Sequence, residues 1–187
     1  MNNKVYFYAW ALSDGKKGIT DNWIDCYNRI AGKKGAKNKR FLARELAQKW
    51  LDSGADYKTK VFYDEDGVYF DSGTGGGGGV KIRVTDKNGK DLVKNIAVGK
   101  HNTNNFGELK ACYYALDYAL KKGIKKVFGD SRLVIDFWSK GIARIDDPET
   151  LALIAQAAKL RIKFEQQGGK LKLISGGANP ADLGFHK

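Results

Sequence analysis

Four acidic residues lie within or next to segments with the apolar patterns of strands and helices. Asp71 falls within the strand-like run "VYFDS", and Glu108 lies near the start of a helix-like pattern with an apolar stripe. Asp130 ends the apolar run "KKVFGD", and Asp182 follows "NPA" near the last residues. An ionised carboxylate is costly to bury unless it is paired or binds a cation. The four acids are therefore candidates for a site that holds divalent metal ions.

Three of these acids also have ordinary structural explanations. Glu108 could interact with the dipole at a helix N-terminus, and Asp130 could cap the helix that follows it. Asp182 could be a solvated acid in the first turn of a final helix. Asp71 has no such alternative, because it interrupts an apolar strand. It is the strongest single indicator of a functional site.

The glycine-rich stretch after Asp71 raises a second question. Gly73, Gly75 and Gly78 match the G-x-G-x-x-G pattern of dinucleotide-binding loops. Such a loop needs a helix directly after the glycines, because the helix dipole holds the pyrophosphate. Here "VKIRV" follows, which predicts a strand, and no G-K-[ST] ends the run. We expect the glycines to bend a hairpin and to allow a ligand close to the backbone.

The elements that must position these acids follow a clear order in residues 67–187. Five runs read as strands: "VYFDS", "GVKIRVTD", "LVKNIAVG", "IKKVFGDS" and "KLKLIS". The first three precede the first helical pattern of this segment, and the other two lie between later helical patterns. Asn-Gly in "DKNGKD" predicts a hairpin, and Asp147 before Pro148 predicts the start of a long helix. The order predicts an α/β domain with a mixed five-stranded sheet and flanking helices.

The first part of the chain has its own pattern. Residues 1–52 read strand, strand, helix, strand, helix, which predicts a small α+β domain, and the polar residues 53–66 predict a linker. Cys26 and Cys112 match no metal-ligand spacing and lie in apolar helical patterns, so we expect buried thiols in a reducing compartment.

The charge balance favours a polyanionic partner. The 187 residues include 33 Lys and Arg against 21 Asp and Glu, a formal net charge of +12. Six basic residues and no acid lie between Lys33 and Arg44, a pattern suited to phosphate contacts. The sequence has no apolar run of membrane-spanning length and no secretory leader pattern. We therefore expect a cytoplasmic monomer that binds nucleic acid and no membrane.

The four acids, in this order and frame, resemble ribonuclease H of type 1. The resemblance covers residues 67–187 and is carried by "FDSGTGGGGG", "NTNNFGELKACYYAL", "GDSRLV" and "NPAD". It implies a ribonuclease H-like fold and an endonuclease that hydrolyses the RNA strand of RNA/DNA hybrids, leaving 5′-phosphate and 3′-hydroxyl ends. Residues 1–52 resemble the small hybrid-binding domain that precedes many of these enzymes, through Tyr8, Trp23 and "KRF". That domain implies an RNA/DNA hybrid or double-stranded RNA as partner.

The resemblance also implies roles for individual residues. Asp71, Glu108, Asp130 and Asp182 would be catalytic and would hold two Mg²⁺ ions, which Mn²⁺ could replace. Asp71 would bridge the ions, Glu108 and Asp130 would hold one, and Asp182 the other. The substrate-binding residues that it implies are Gly73, Thr103, Asn104, Asn105 and Ser131 in the catalytic domain, with Tyr8, Trp23, Lys37, Lys39 and Arg40 in the first domain. We expect Phe41 in the core.

Three features depart from the family pattern. The loop "SGGANPAD" has no His, and neither His101 nor His186 lies at the matching place. Asn38 stands where the family commonly has an aromatic residue. No basic insert lies between Asp130 and Asp182, so we expect substrate affinity to depend on the first domain.

Two other functions share parts of this sequence pattern. A non-catalytic protein that binds hybrids or double-stranded RNA remains an alternative. An exonuclease of the same fold would carry Asp-x-Glu on the first strand, where this chain has Asp71, Ser72 and Gly73.

Overall fold

The computed structural model describes residues 5–58, 62–74, 79–94, 96, 98 and 103–183. The chain divides into two compact units, residues 1–62 and residues 63–187. Within the described residues, no helix has the length and apolar character needed to cross a membrane.

The first unit has the predicted order of elements, as three strands and two helices: β1 (Phe7–Ala11), β2 (Lys17–Thr20), α1 (Trp23–Ile30), β3 (Lys37–Phe41) and α2 (Arg44–Asp52). The sheet is antiparallel with order β2-β1-β3. Asn22 caps α1, because its Oδ1 accepts hydrogen bonds from the backbone N–H groups of Ile24 and Asp25. This cap makes Trp23 the first residue of the helix.

The core of the first unit lies mainly against α2. Trp50 is fully buried, and its ring lies 6.0 Å from that of Phe41, which is 8% exposed. Cys26 is also fully buried. The predictions of Phe41 as a core residue and of Cys26 as a buried thiol are therefore confirmed.

The segment predicted as a linker is bound to the two units at its ends. The indole N–H of Trp50 donates to the carbonyl oxygen of Asp56 at 3.0 Å. The hydroxyl of Tyr57 accepts from the backbone N–H of Asn38 and donates to the carbonyl oxygen of the same residue, both at 3.0 Å. Tyr63 belongs to the second unit, where its backbone N–H donates to Ala178.

The second unit is a mixed sheet with helices packed on it. Its elements are β4 (Val68–Thr74), β5 (Val80–Thr85), α3 (Asn104–Lys122), β6 (Lys126–Gly129), α4 (Arg132–Asp136), α5 (Pro148–Gln166) and β7 (Lys170–Leu173). Two short 3₁₀ helices, Trp138–Lys140 and Gly176–Ala178, complete it. The strand order is β5-β4-β6-β7, with β5 antiparallel to β4 and the other neighbours parallel.

Local sequence signals explain where these elements begin and end. Thr103 and Asp147 cap α3 and α5, and Gly123 ends α3 in the left-handed conformation that a helix C-terminus favours. After β5 the chain turns through Gly89 and returns to pair Asp91 with Thr85, as the Asn-Gly signal predicts. One apolar cluster joins the sheet to α3 and α5 through residues that include Phe70, Leu116 and Phe164.

Two predicted elements extend beyond the described residues. The third strand-like run covers residues 92–99, of which 95, 97 and 99 lie outside the described set, and four strands are paired in the part that is described. The final helix predicted from residues 179–187 is not formed in residues 179–183, and residues 184–187 lie outside the described set.

Gly129 allows the closest contact in this core. A Cβ atom at this position would lie 2.2 Å from Cζ of Phe70. We expect Gly129→Ala to lower the free energy of unfolding by about 1–3 kcal/mol, because a well-packed core resists added volume. The matched control is Gly177→Ala, since a Cβ there meets no described atom within 4 Å. Equal urea midpoints for the two variants would contradict the prediction.

Candidate active site

Three carboxylates converge at the centre of the second unit. Asp71 lies in β4, Glu108 in α3, and Asp130 directly after β6. Each offers an oxygen atom, and these oxygen atoms all lie within 4.8 Å of one another. The parallel pairing of β4 with β6 and the packing of α3 on β4 bring together residues that are 59 positions apart in sequence, from 71 to 130.

Half of the oxygen atoms of the two buried carboxylates are satisfied by backbone groups. Glu108 Oε1 accepts from the Ser72 N–H at 3.2 Å, and Asp71 Oδ2 accepts from the Leu183 N–H at 3.0 Å. The other two, Asp71 Oδ1 and Glu108 Oε2, are buried and have no hydrogen-bond partner in the described part of the chain. Buried oxygen atoms without donors suit a hard divalent cation. The cluster can therefore hold such an ion.

Burial and mutual repulsion raise the pKa values of these carboxyl groups. Burial, together with the nearby charges of Asp130 and Asp71, raises the pKa of Glu108 to about 9. Burial also raises the pKa of Asp71, against the opposing effect of the hydrogen bond from Leu183. Like charges in a desolvated site favour the protonated form unless a cation compensates for them. The site is thus electrostatically prepared for a positive ion.

Glycines allow the backbone to close around the cluster. A Cβ at Gly107 would lie 2.4 Å from Cγ1 of Val80 and 2.8 Å from Oγ of Ser72, so α3 can approach β4 only with glycine here. At Gly176 a Cβ would lie 2.6 Å from Oδ2 of Asp130. Neither glycine was identified from sequence, since nothing in a local pattern shows which distant atoms face it.

Asn179 is a further residue that sequence reasoning did not single out. It is fully buried, and its Nδ2 donates to the carbonyl oxygen of Phe70 at 2.9 Å. Its Oδ1 accepts from the Ala181 N–H, and its carbonyl oxygen accepts from the Asp182 N–H, both at 3.0 Å. The side chain therefore binds the terminal segment to β4 beside Asp71. The Asn-Pro pair in "NPAD" was the available signal, since Asn side chains commonly bind the backbone two residues on.

Asp182 lies at the edge of the cluster. It is half-buried, and its negative charge contributes to the raised pKa of Asp71. The group within 4.8 Å consists of Asp71, Glu108 and Asp130 among the described residues. The role of Asp182 as a metal ligand stays a prediction.

The other predicted substrate-binding residues of this unit lie at the start of α3, at the start of α4 and in β4. Thr103 and Asn105 are exposed at the start of α3, and Asn104 accepts hydrogen bonds from the Ser72 hydroxyl through both its carbonyl and Oδ1. Ser131 caps α4. Gly73 is buried in β4 opposite Lys81. Thr103 and Ser131 therefore cap helices, and their role in substrate binding stays a prediction.

The first unit carries an aromatic and basic cavity. Tyr8, Trp23, Asn38 and Arg40 line a space of about 390 Å³. The rings of Tyr8 and Trp23 have centroids 5.4 Å apart, and Trp23 is 44% exposed although aromatic side chains of small domains are usually buried. Tyr8 and Arg40 are opposite each other in the β1–β3 register, which sets Arg40 on the same face of the sheet.

The predicted basic residues of β3 are divided between its two faces. Side chains alternate along a strand, so Lys37 and Lys39 lie on the face opposite to Asn38 and Arg40. Lys39 Nζ lies 5.7 Å from the centre of the Phe41 ring. The structure therefore brings Tyr8, Trp23 and Arg40 together and separates Lys37 and Lys39 from them. The sequence interval rich in basic residues did not reveal this division.

Two family models match the chain, one for each unit. Residues 7–51 match the model described as the ribonuclease H1 N-terminal domain, and residues 64–171 match the model described as reverse transcriptase-like. The second match covers more than half of the chain. The chain belongs to this reverse transcriptase-like family, and its second unit has a ribonuclease H-like fold. The resemblance and fold class predicted from sequence are therefore confirmed, and the match includes Asp71, Glu108 and Asp130.

Solved structures of ribonucleases H are also similar to the chain. One is the N-terminal RNase H domain of a Mycobacterium tuberculosis protein, solved as a fusion with maltose-binding protein: 25% identity over 58% of this chain and 78% of that one, with a TM-score of 0.38. Another is LC11-RNase H1, isolated from compost by a metagenomic approach: 23% identity over 60% of this chain and 85% of that one, with a TM-score of 0.41.

The raised pKa of Glu108 predicts how stability depends on pH. Between the ordinary value of 4.5 and the folded value of about 9, the folded protein binds more protons than the unfolded chain. Stability without metal should therefore fall as pH rises through this range. We expect the thermal midpoint in EDTA to fall across it, and Glu108→Gln to flatten the dependence and raise the midpoint at pH 8. Unaltered pH dependence in the variant would contradict this assignment.

Proposed function

We propose that the protein is an endonuclease that hydrolyses the RNA strand of RNA/DNA hybrids. The observation that carries the proposal is the group of three carboxylates with two buried oxygen atoms that lack hydrogen-bond donors. This group lies in a ribonuclease H-like domain, and the domain model matched by the preceding residues supplies a second, independent indication of a nucleic-acid substrate. The products would carry 5′-phosphate and 3′-hydroxyl ends.

The acids would hold two Mg²⁺ ions, which Mn²⁺ could replace. Asp71 would bridge them, Glu108 and Asp130 would bind one, and Asp182 would bind the other. When bound, the ions supply positive charge at the scissile phosphate and favour ionisation of the attacking water. The donor set supports this choice, because Mg²⁺ prefers carboxylate oxygen atoms and is commonly held together with substrate phosphates.

The chain's own residues would prepare this chemistry. The Ser72 N–H holds one oxygen of Glu108, and the Leu183 N–H holds one oxygen of Asp71. These bonds also fix the position of the second oxygen of each carboxylate. Glu108 would lose its proton when the site is loaded, since a ligand must be ionised. Asn179 would keep Asp182 near Asp71 through its bonds to β4 and to the terminal segment.

Substrate recognition would be shared between the two units. In the second unit, Asn104 and Asn105 would contact the wide minor groove, Thr103 a DNA phosphate, and Gly73 and Ser131 the RNA strand. The 2′-hydroxyl would distinguish RNA from DNA in the cleaved strand. In the first unit, Tyr8 and Trp23 would pack against sugars or bases, and Arg40 would contact phosphate, with Lys37 and Lys39 adding charge at longer range.

Cleavage of an end-labelled hybrid tests the proposed activity. RNA/DNA, RNA/RNA and DNA/DNA duplexes are each incubated with Mg²⁺, Mn²⁺ or EDTA. We expect metal-dependent internal cuts in the RNA strand of the hybrid, and a loss of at least about 10³-fold with Asp71→Asn, because the variant removes a charge that the ions require. Tight binding of the hybrid without any cutting would instead identify a non-catalytic binding protein.

The salt dependence of binding tests the role of Arg40. If it contacts one phosphate, Arg40→Ala should reduce the slope of log affinity against log salt by about 1, because one fewer counterion is released. Lys16→Ala is the matched control, since it removes the same charge from a residue paired with Asp14 in the β1–β2 turn. Equal slopes for both variants, measured by fluorescence anisotropy in EDTA, would exclude this contact.

A further inference from the structure

A third aromatic ring continues the surface formed by Tyr8 and Trp23. Tyr27 lies four residues after Trp23 in α1, and the two ring centroids are 6.2 Å apart with planes tilted by 49°. The Tyr8 ring lies 5.4 Å from the Trp23 ring at the same tilt. Trp23 therefore contacts both tyrosines, and neither contact is a parallel stack.

Tyr27 contributes little to the core of its domain. It is 53% exposed, and Cys26 is the buried residue of α1. Residues four apart share one face of a helix, which explains the contact between Tyr27 and Trp23. A large ring that stays exposed beside another exposed ring forms a surface suited to a flat ligand.

The charges near these aromatic rings favour a polyanionic ligand. Arg40 is exposed on the same face of the sheet as Tyr8, and its guanidinium carbon lies 4.5 Å from the centre of the Tyr6 ring. The acid of α1, Asp25, lies about 200° around the helix from Trp23 at 100° per residue. No acidic residue occurs from Lys33 to Arg44. Aromatic rings beside a cation match a nucleic-acid strand.

We propose that Tyr27 is a third aromatic contact to the nucleic acid, next to Tyr8 and Trp23. The inference rests on the proposed function and deepens it, because it assigns to α1 a contact with the nucleotide that follows the one at Trp23. Because the Tyr27 and Trp23 rings are tilted by 49° and are not parallel, Tyr27 would pack against a different sugar or base from Trp23.

Binding of a short fluorescein-labelled RNA/DNA hybrid to the full chain tests the proposal, in EDTA to prevent cleavage. We expect Tyr27→Ala to weaken binding roughly 5- to 30-fold, as the loss of one stacking contact does. The slope of log affinity against log salt should stay unchanged, because a ring releases no counterions. Tyr27→Phe should bind like the wild type, since the ring and not the hydroxyl makes the contact.

The control is Ile24→Ala, which truncates another apolar residue of α1 that is 66% exposed. It should leave affinity unchanged, and equal weakening by Ile24→Ala and Tyr27→Ala would overturn the proposal. Wild-type affinity of Tyr27→Ala together with weak binding by Trp23→Ala would also overturn it, while leaving the proposed function intact. Wild-type affinity of both variants would reject the whole surface as a nucleic-acid interface. Circular dichroism confirms that each variant is folded.

Discussion

The electrostatic cost of burying two carboxylates is the constraint on which the second unit depends. Asp71 is 1% exposed and Glu108 is 5% exposed, and each has one oxygen without a hydrogen-bond donor in the described structure. A protein interior stabilises ionised carboxylates poorly. Without a metal ion, these groups therefore keep their protons at pH values at which exposed carboxyl groups are ionised. The apolar cluster that includes Phe70 of β4, Leu116 of α3 and Val127 of β6 packs these elements together and helps to offset this cost. A cation would remove a penalty that the scaffold already bears.

The two units contribute different physical properties. The second provides a buried arrangement in which main-chain N–H groups orient carboxylates. The first provides an exposed surface in which rings and a guanidinium group are presented to solvent. Stacking on aromatic rings depends little on salt concentration, whereas the attraction of a guanidinium group such as that of Arg40 to a phosphate weakens as salt rises. An interface with both kinds of contact can retain a polyanion over a wider range of ionic strength than charge alone permits.

Sequence patterns predicted most elements and the three acids that meet, because strand alternation, helix caps and turn residues are local properties. What they missed depends on contacts between distant segments. The burial of Asn179 against Phe70 and the contact of Gly107 with Ser72 join residues that no local pattern connects. The charge density of residues 33–44 indicated a basic surface, but strand alternation divides that charge between two faces. Tyr27 was overlooked because a helical pattern does not show which apolar residues stay exposed.

The two adjacent glycines of the loop after β7 differ in what they could accept during evolution or engineering. Gly176 presses its backbone against the Asp130 carboxylate, so any side chain there would displace a member of the acidic cluster. At Gly177, one residue later, a Cβ atom would meet no atom of the described residues within 4 Å. A substitution that adds a Cβ at the second glycine therefore leaves the acids in place, whereas at the first it would displace Asp130. In this loop, position 176 therefore requires glycine, whereas position 177 accepts a residue with a Cβ atom.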